Sequence, residues 1–273
     1  FHFLFSSMPP APRHHPNRPY PPPRTPWAMA MTWRRLLFMH WPVPADLLRP
    51  HIPPALTIDT YAGGSFAEQA FIGVVPFRMA GTRARFTPPI PGVSDFPELN
   101  VRTYVRDGSG RPGVWFFSLD AASRLAVETA RAVFHLPYFH ASMRCDAEPS
   151  PPPHGSWTRY HSERTDRRAP GAAFRARYRP AGPVFTAAPG SLDAFLTDRY
   201  CLYAADRRGR IFRAEIHHDP WPLQAAEAEV EVNTMTLPLG IDLAALDVDP
   251  GRWPLLHYVH DFSVCVWFPR RVA

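Results

Sequence analysis

From Trp33 onward, turn signals recur every ten to fifteen residues, and the apolar stretches between them are short and often alternate with polar residues. Runs of that length and period build antiparallel β-structure; helical bundles and doubly wound sheets need longer periodic segments. Strands are expected over 34–41, 66–77, 99–106, 114–119, 174–179, 200–204, 211–217, 228–235 and 258–268. Two tight reversals support them. Asp107-Gly108-Ser109-Gly110 and Asp206-Arg207-Arg208-Gly209 each separate two apolar segments and place a glycine where a hairpin needs positive φ. Helix signals are fewer: an amphipathic run over 121–134, a short helix over 192–198 capped by Ser191, and one turn over 45–49 after Pro44. The pattern predicts a single mainly β (α+β) domain over residues 32–273, with two or three helices.

Residues 1–31 read differently. They hold Arg13, Arg18 and Arg24 with no acid, and nine of the 35 prolines, a composition expected to leave a disordered Pro/Arg-rich leader. That leader carries half of the formal charge of +6, which weakens a nucleic-acid reading of the whole chain. All 30 basic residues are arginine, so a lysine Schiff base, a P-loop lysine and a lysine general base are excluded. Cys145, Cys201 and Cys265 stand far apart without metal-ligand spacing, so neither a disulfide framework nor a metal site is expected. No run approaches the ~18 apolar residues of a membrane helix, and the opening FHFLFSSM lacks the basic start of a signal peptide. A soluble, cytoplasmic protein without membrane contact is expected.

The segment most dense in chemistry is Glu98-Leu99-Asn100-Val101-Arg102-Thr103-Tyr104-Val105. In a strand Glu98, Asn100, Arg102 and Tyr104 share one face. That face is either a solvated outer surface on which Glu98 and Arg102 balance charge, or the inside of a barrel, where arginine holds a carboxylate or enolate oxygen and glutamate moves a proton. The next strand, 113–120, is apolar on both faces and is either plain core or the wall of an apolar cavity in which Trp115 and Phe117 meet a ligand. Ser118 has no Gly-x-Ser-x-Gly elbow, which argues against a serine hydrolase. The pairs His217-His218 and His257/His260 put their side chains on opposite strand faces, so neither gives two ligands to one metal. Arg175, Arg177 and Arg179 form a basic stripe, and Glu227, Glu229 and Glu231 an acidic one; mutual pairing is the expected use of both.

The words LLFMHWPVPADLLRPHIPPAL, IGVVPFRM, FPELNVRTYV, GVWFFSLDA, HLPYFHASM and AEIHHDPWPLQ, in this order, resemble the YqjF-like family, domain of unknown function 2071. That family is distantly related to acetoacetate decarboxylase. The resemblance implies an antiparallel β cone or barrel around an internal cavity, with the Glu98 face looking inward. It further implies that Glu98 matches the decarboxylase's cavity glutamate, that Arg34 matches an arginine on its first strand, and that Tyr138 of His135-Leu136-Pro137-Tyr138-Phe139 stands where its Schiff-base lysine stood. A phenol cannot form an imine; it suits hydrogen bonding or acid catalysis at an oxyanion.

The expected function is therefore small-molecule binding, with lyase or proton-transfer chemistry on a small organic acid or carbonyl compound and no cofactor. Glu98, Tyr138 and Arg34 are the candidate catalytic residues; Arg102, Asn100, Tyr104, Trp115, Phe117 and His40 are the candidate ligand contacts. A ligand sensor or carrier without turnover is the alternative, and an arginine-mediated binder of nucleic acid or acidic protein a third. Glu98 and Arg102 lie four apart, about 13 Å along a strand, so each buried charge needs its own partner. For Glu98 that partner is expected to be Arg34, Tyr138 or His40; for Arg102, a carboxylate or an anionic ligand.

Overall fold

The computed structural model describes residue 15 and residues 17–64, 68–91, 93–148 and 156–272. In chain order these form β1 (Met29–Val43), α1 (Ala45–Leu48), β2 (Thr57–Ile58), β3 (Ala70–Ala84), β4 (Phe96–Arg106), β5 (Pro112–Ala121) and α2 (Arg124–Phe134). There follow β6 (Tyr138–Glu148), β7 (Trp157–Arg164), β8 (Ala173–Pro180), α3 (Leu192–Thr197), β9 (Cys201–Ala205), β10 (Ile211–His217), β11 (Gln224–Asn233), β12 (Leu255–Val266) and β13 (Arg270–Arg271). Each strand and helix expected from the sequence has a counterpart with shifted boundaries, and residues 66 and 67 of the expected strand 66–77 lie outside the described residues. Ser123 and Ser191 cap α2 and α3 by accepting from the amides of Ala126 and Ala194. Both reversals are turns closed by a carboxylate. Asp107 accepts from the amides of Ser109 and Arg111, Asp206 from those of Arg208 and Arg210, with Gly110 and Gly209 at positive φ.

Two strands fork, and the forks create the architecture. Along one edge β5 pairs β9 through Val114 and Trp115, then β6 through Leu119, Asp120 and Ala121. Strand β12 does the same at the far end, meeting β10 through Cys265 and Val266 and β11 through His257 and Tyr258. One ring of nine strands therefore closes through β6, β7, β8 and β11. A second closes through β9 and β10, and both share the wall β12-β1-β3-β4-β5. The shared wall has a core on each side: Leu37, Met39, Val74, Leu99 and Val101 face one, while Leu36, Phe38, Val75, Phe77 and Leu119 face the other.

Strands β6 and β7 were not anticipated. The inward row of β7 is Thr158, Tyr160, Ser162 and Arg164, all buried, so its burial carries almost no apolar alternation. The basic and acidic stripes behave as expected: β8 and β11 are antiparallel neighbours, and Arg175, Arg177 and Arg179 pair with Glu231, Glu229 and Glu227 on the outer surface.

The leader needs correction. Residues 1–14 and 16, which carry much of that expectation, lie outside the described residues. Residues 17–31 are placed, however, and β1 begins at Met29, so the boundary at residue 32 falls inside a strand. Arg18 is only 1 % exposed: its guanidinium donates to the carbonyls of Tyr20 and Ile216 and meets Glu215, between the rings of Tyr20 and Tyr200. Asn17 donates to Asp198, and Trp267 donates to the carbonyl of Thr25. Proline density excludes a core of the segment's own but not its use as a strap on another core. Arg18→Ala should therefore cost about 2–4 kcal/mol, since it takes the shared donor from the carbonyls of Tyr20 and Ile216 and the cation from between two rings, while Glu215 keeps Arg111 and Arg213. Deleting residues 1–26 should cost at least as much, and an unchanged melting temperature in either variant would contradict this packing.

Candidate functional site

Strand β4 runs between the two cores, and four consecutive members of its alternating face are buried: Glu98, Asn100, Arg102 and Tyr104. The solvated-surface reading of this face is thereby excluded. Glu98 sits opposite Phe77 and Ala121, and Asn100 opposite Val75 and Leu119, all residues of one apolar cluster. Glu98 is met by Tyr138 of β6, whose hydroxyl donates to Glu98 Oε2 at 2.9 Å. The parallel register of Leu119 with Tyr138 brings the two together across β5. Burial pushes the Glu98 carboxyl up to about 8, only partly offset by that hydrogen bond, and holds the Tyr138 phenol well above its usual range. At neutral pH both groups carry their protons.

The other end of the face is built around Arg102. Strand register places His40, Gly73 and Arg102 on one row across β1, β3 and β4. Gly73 is required there, because a Cβ would stand 3.0 Å from His40 Cδ2 and 3.4 Å from Arg102 Cγ. The Arg102 guanidinium lies over the rings of Phe38 and Tyr104 and reaches the carbonyl of Leu196, in the last turn of α3, at 3.4 Å. It forms no ion pair with a carboxylate among the described residues, and its Nε has no acceptor. The neighbouring cation, Arg199, is neutralised by Asp59 at 2.5 Å, and Asp59 also takes Arg106. Tyr104 donates its single proton to Leu196 O at 2.5 Å, so the 2.6 Å contact with His40 Nε2 requires that nitrogen to carry the hydrogen. His40 is then the Nε2–H tautomer with Nδ1 bare, and burial beside Arg102 holds it neutral. Asn100 Oδ1, between the two ends, also lacks a donor.

Three expected site residues lie elsewhere. Arg34 is half exposed and faces Asp261 at 3.6 Å; the bulge at Arg35, with φ of 50°, resets β1 against β3 at this point. Trp115 and Phe117 line an outer groove of about 950 Å³, not the face of Glu98. A one-residue register shift between β4 and β5 leaves Phe117 without a Cα partner and gives Arg102 to Phe116 instead. His40 pairs with Tyr104 rather than Glu98. Two participants carried no sequence signal: Gly73, whose role depends on what crosses it, and Leu196, which contributes a backbone carbonyl. His217 and His218 are buried within the packed core, and no group of metal-ligating side chains occurs among the described residues.

The profile of the DUF2071 family, "Uncharacterized conserved protein", matches residues 30–262. The chain belongs to this family. It is 46 % identical over 241 residues to the uncharacterized protein YqjF of Bacillus subtilis, covering 88 % of this chain and 91 % of that one. Among solved structures, acetoacetate decarboxylase from Legionella pneumophila superposes with a TM-score of 0.58 at 13 % identity, over 98 % of this chain and 93 % of that one. An acetoacetate decarboxylase-like enzyme from Sphingomonas wittichii gives 0.59 at 11 %, over 91 % and 94 % of the chains. The enduracididine biosynthesis enzyme MppR, complexed with the condensation product of pyruvate and imidazole 4-carboxaldehyde, gives 0.56 at 14 %, over 90 % of each chain. The fold of this DUF2071 protein is thus the acetoacetate decarboxylase-like one. Among its described residues no helix is long and apolar enough to cross a membrane.

The raised Glu98 carboxyl has a thermodynamic signature. Between its ordinary value of 4.5 and about 8, the folded protein holds a proton that the unfolded chain has lost, so stability falls as pH rises through this window. Glu98→Gln, which keeps the acceptor for Tyr138, removes that dependence. Relative to wild type, the variant should gain about 1.4 kcal/mol per pH unit between pH 5 and 8, read by denaturant unfolding; parallel curves would place the Glu98 pKa in the ordinary range.

Proposed function

We propose that this protein binds a small organic acid or carbonyl compound in its core, with Arg102 holding the carboxylate or oxyanion and Glu98 transferring a proton. The observation that carries the proposal is the uncompensated guanidinium. A buried arginine without a carboxylate costs on the order of several kcal/mol, a cost that an anion bound from outside would offset. Arg102 shares its face with a protonated carboxyl, Glu98, and with two unfilled acceptors, Asn100 Oδ1 and His40 Nδ1. The site thus offers one charge for an anion, acceptors for a hydroxyl or enol proton, and an acid that titrates near neutrality. Tyr138 donates to Glu98 Oε2, and in this reading Oε1 is the oxygen that exchanges the proton.

The structural neighbours favour the same class of compound, since they include acetoacetate decarboxylase and an enzyme complexed with a pyruvate condensation product. Chemistry here proceeds without an imine, because no lysine exists in the chain. Borohydride treatment in the presence of acetoacetate or pyruvate should leave no adduct on any residue after Trp33, by peptide mass mapping.

Native mass spectrometry of the protein purified from its source should show a co-purifying organic acid, and titration calorimetry with that acid then tests the anchor. Arg102→Met should weaken its binding by roughly 10- to 100-fold, the worth of one charge-assisted contact, while the melting temperature stays level or rises. Unchanged affinity would remove Arg102 from the site. Glu98→Gln should leave affinity intact and suppress turnover by at least ~100-fold; full turnover by that variant would reject the acid–base role, and binding without any wild-type turnover would favour a carrier.

A further inference from the structure

The outer groove that takes Trp115 and Phe117 has a composition of its own. Its volume of about 950 Å³ is that of a site for an organic ligand rather than a crevice between side chains. Trp115, Phe116, Phe117 and Phe139 supply its aromatic surface, and all four are only partly buried. The indole of Trp115 is held in place by donating to the carbonyl of His51 at 3.2 Å, and the His51 ring stands edge-on to Phe117. A planar ring system can stack on such a surface without reordering it.

The rim is cationic. Four arginines line the groove, Arg131, Arg168, Arg207 and Arg208, against two acids, Glu128 and Asp206. Both acids are already engaged. Glu128 pairs with Arg168, and Asp206 pairs with Arg210 while closing the β9–β10 turn. Arg168 is satisfied by Glu128 and Asp166, and Arg131 donates to the carbonyl of Tyr138. Arg207 and Arg208, on the rigid turn, form no ion pair among the described residues. Arg207 and Arg208 thus line the groove beside its aromatic residues with no acid paired to them among the described residues.

We propose that this groove is a binding site for a planar aromatic anion, of which an aryl carboxylate is the simplest member. The ring stacks on Trp115 and Phe117, and the charge is met by Arg207 and Arg208. Unlike the core site, which offers one guanidinium and a proton donor, the groove selects for a ring and a charge together. The two sites share the segment 136–139, whose Leu136, Pro137 and Phe139 line the groove while the Tyr138 hydroxyl reaches Glu98.

The test is calorimetric titration of the full chain with 1-naphthoate, 1-naphthamide and cyclohexanecarboxylate, which separate ring from charge. Naphthoate should bind at least about tenfold more tightly than either analogue, and its affinity should fall with added salt. The double variant Arg207→Ala/Arg208→Ala removes exposed side chains without touching the core and should weaken naphthoate by about tenfold; Trp115→Leu should weaken naphthoate while leaving cyclohexanecarboxylate unchanged. Absence of naphthoate binding, equal binding of the amide, or insensitivity to the double arginine variant would each overturn the proposal. Binding lost in Arg102→Met but kept in the double variant would assign the carboxylate to the core and likewise reject the groove.

Discussion

Strand β4 stands in the middle of a wall with a core on either side, so a polar side chain on it must find its partner inside the protein. Leu99 and Val101 meet this constraint by being apolar. Glu98, Asn100, Arg102 and Tyr104 meet it in different ways, and the differences define the candidate site. Glu98 gives up its charge and takes a hydrogen bond from Tyr138; Tyr104 shares its hydroxyl between His40 and a helix-terminal carbonyl. Arg102 can do neither, since a guanidinium stays protonated. On the opposite face Asp120 and Arg164 form a buried pair at 2.8 Å, which shows how the same wall accommodates an arginine when a carboxylate is supplied. The contrast makes Arg102 the informative residue: the fold had a way to neutralise it and did not use it.

The forks of β5 and β12 explain why β4 is buried on both faces. Had β5 paired with β6 alone, one ring would enclose one core, and the outer face of β4 would need helices or solvent. Because β9 and β10 span from β5 to β12, a second sheet covers that face, and α2 and α3 contribute Val127, Phe134 and Ala194 to the same cluster. The leader belongs to this second layer. Arg18 fastens it to β10 by the carbonyl of Ile216, and Trp27 packs with Ala30 and Trp267. The Arg–Glu ladder between β8 and β11, by contrast, is fully outside; exposed pairs of this kind add little stability and chiefly favour one register of two polar faces over another.

Legibility in the sequence followed what each element buries. Strands such as β4 and β10 alternate or run apolar, and could be read; β7 turns Thr158, Tyr160, Ser162 and Arg164 inward and could not. A tyrosine or arginine in a barrel wall is buried because some carbonyl or carboxylate across the ring receives it, as Phe77 O and Glu98 O receive Tyr160. Window composition holds no trace of that distant acceptor. The leader failed for a related reason, since proline density describes what a segment can build alone and not what it can lie against. Arg34, Trp115 and Phe117 were displaced by two bulges, each a single-residue insertion that alternation counting cannot detect.

Taken alone, the sequence determined the class of the fold, the positions of its hairpins and caps, the pairing of the Arg and Glu stripes, and the absence of any amine for imine chemistry within the folded chain. These are local or compositional properties, decided by turn residues, by period and by the lack of one residue type. It also singled out the face of Glu98, but it could not choose between solvent and interior, because alternation states only that two faces differ. Tertiary structure decided that, by closing a second ring over the face. The partners were decided in the same step: Tyr138 arrives on Glu98 through a parallel register 40 residues away, and Arg102 meets aromatic rings and a carbonyl instead of a carboxylate. Whether a buried group is neutralised or left charged depends on what closure of the barrel brings within hydrogen-bond reach, and that is a property of the folded chain alone.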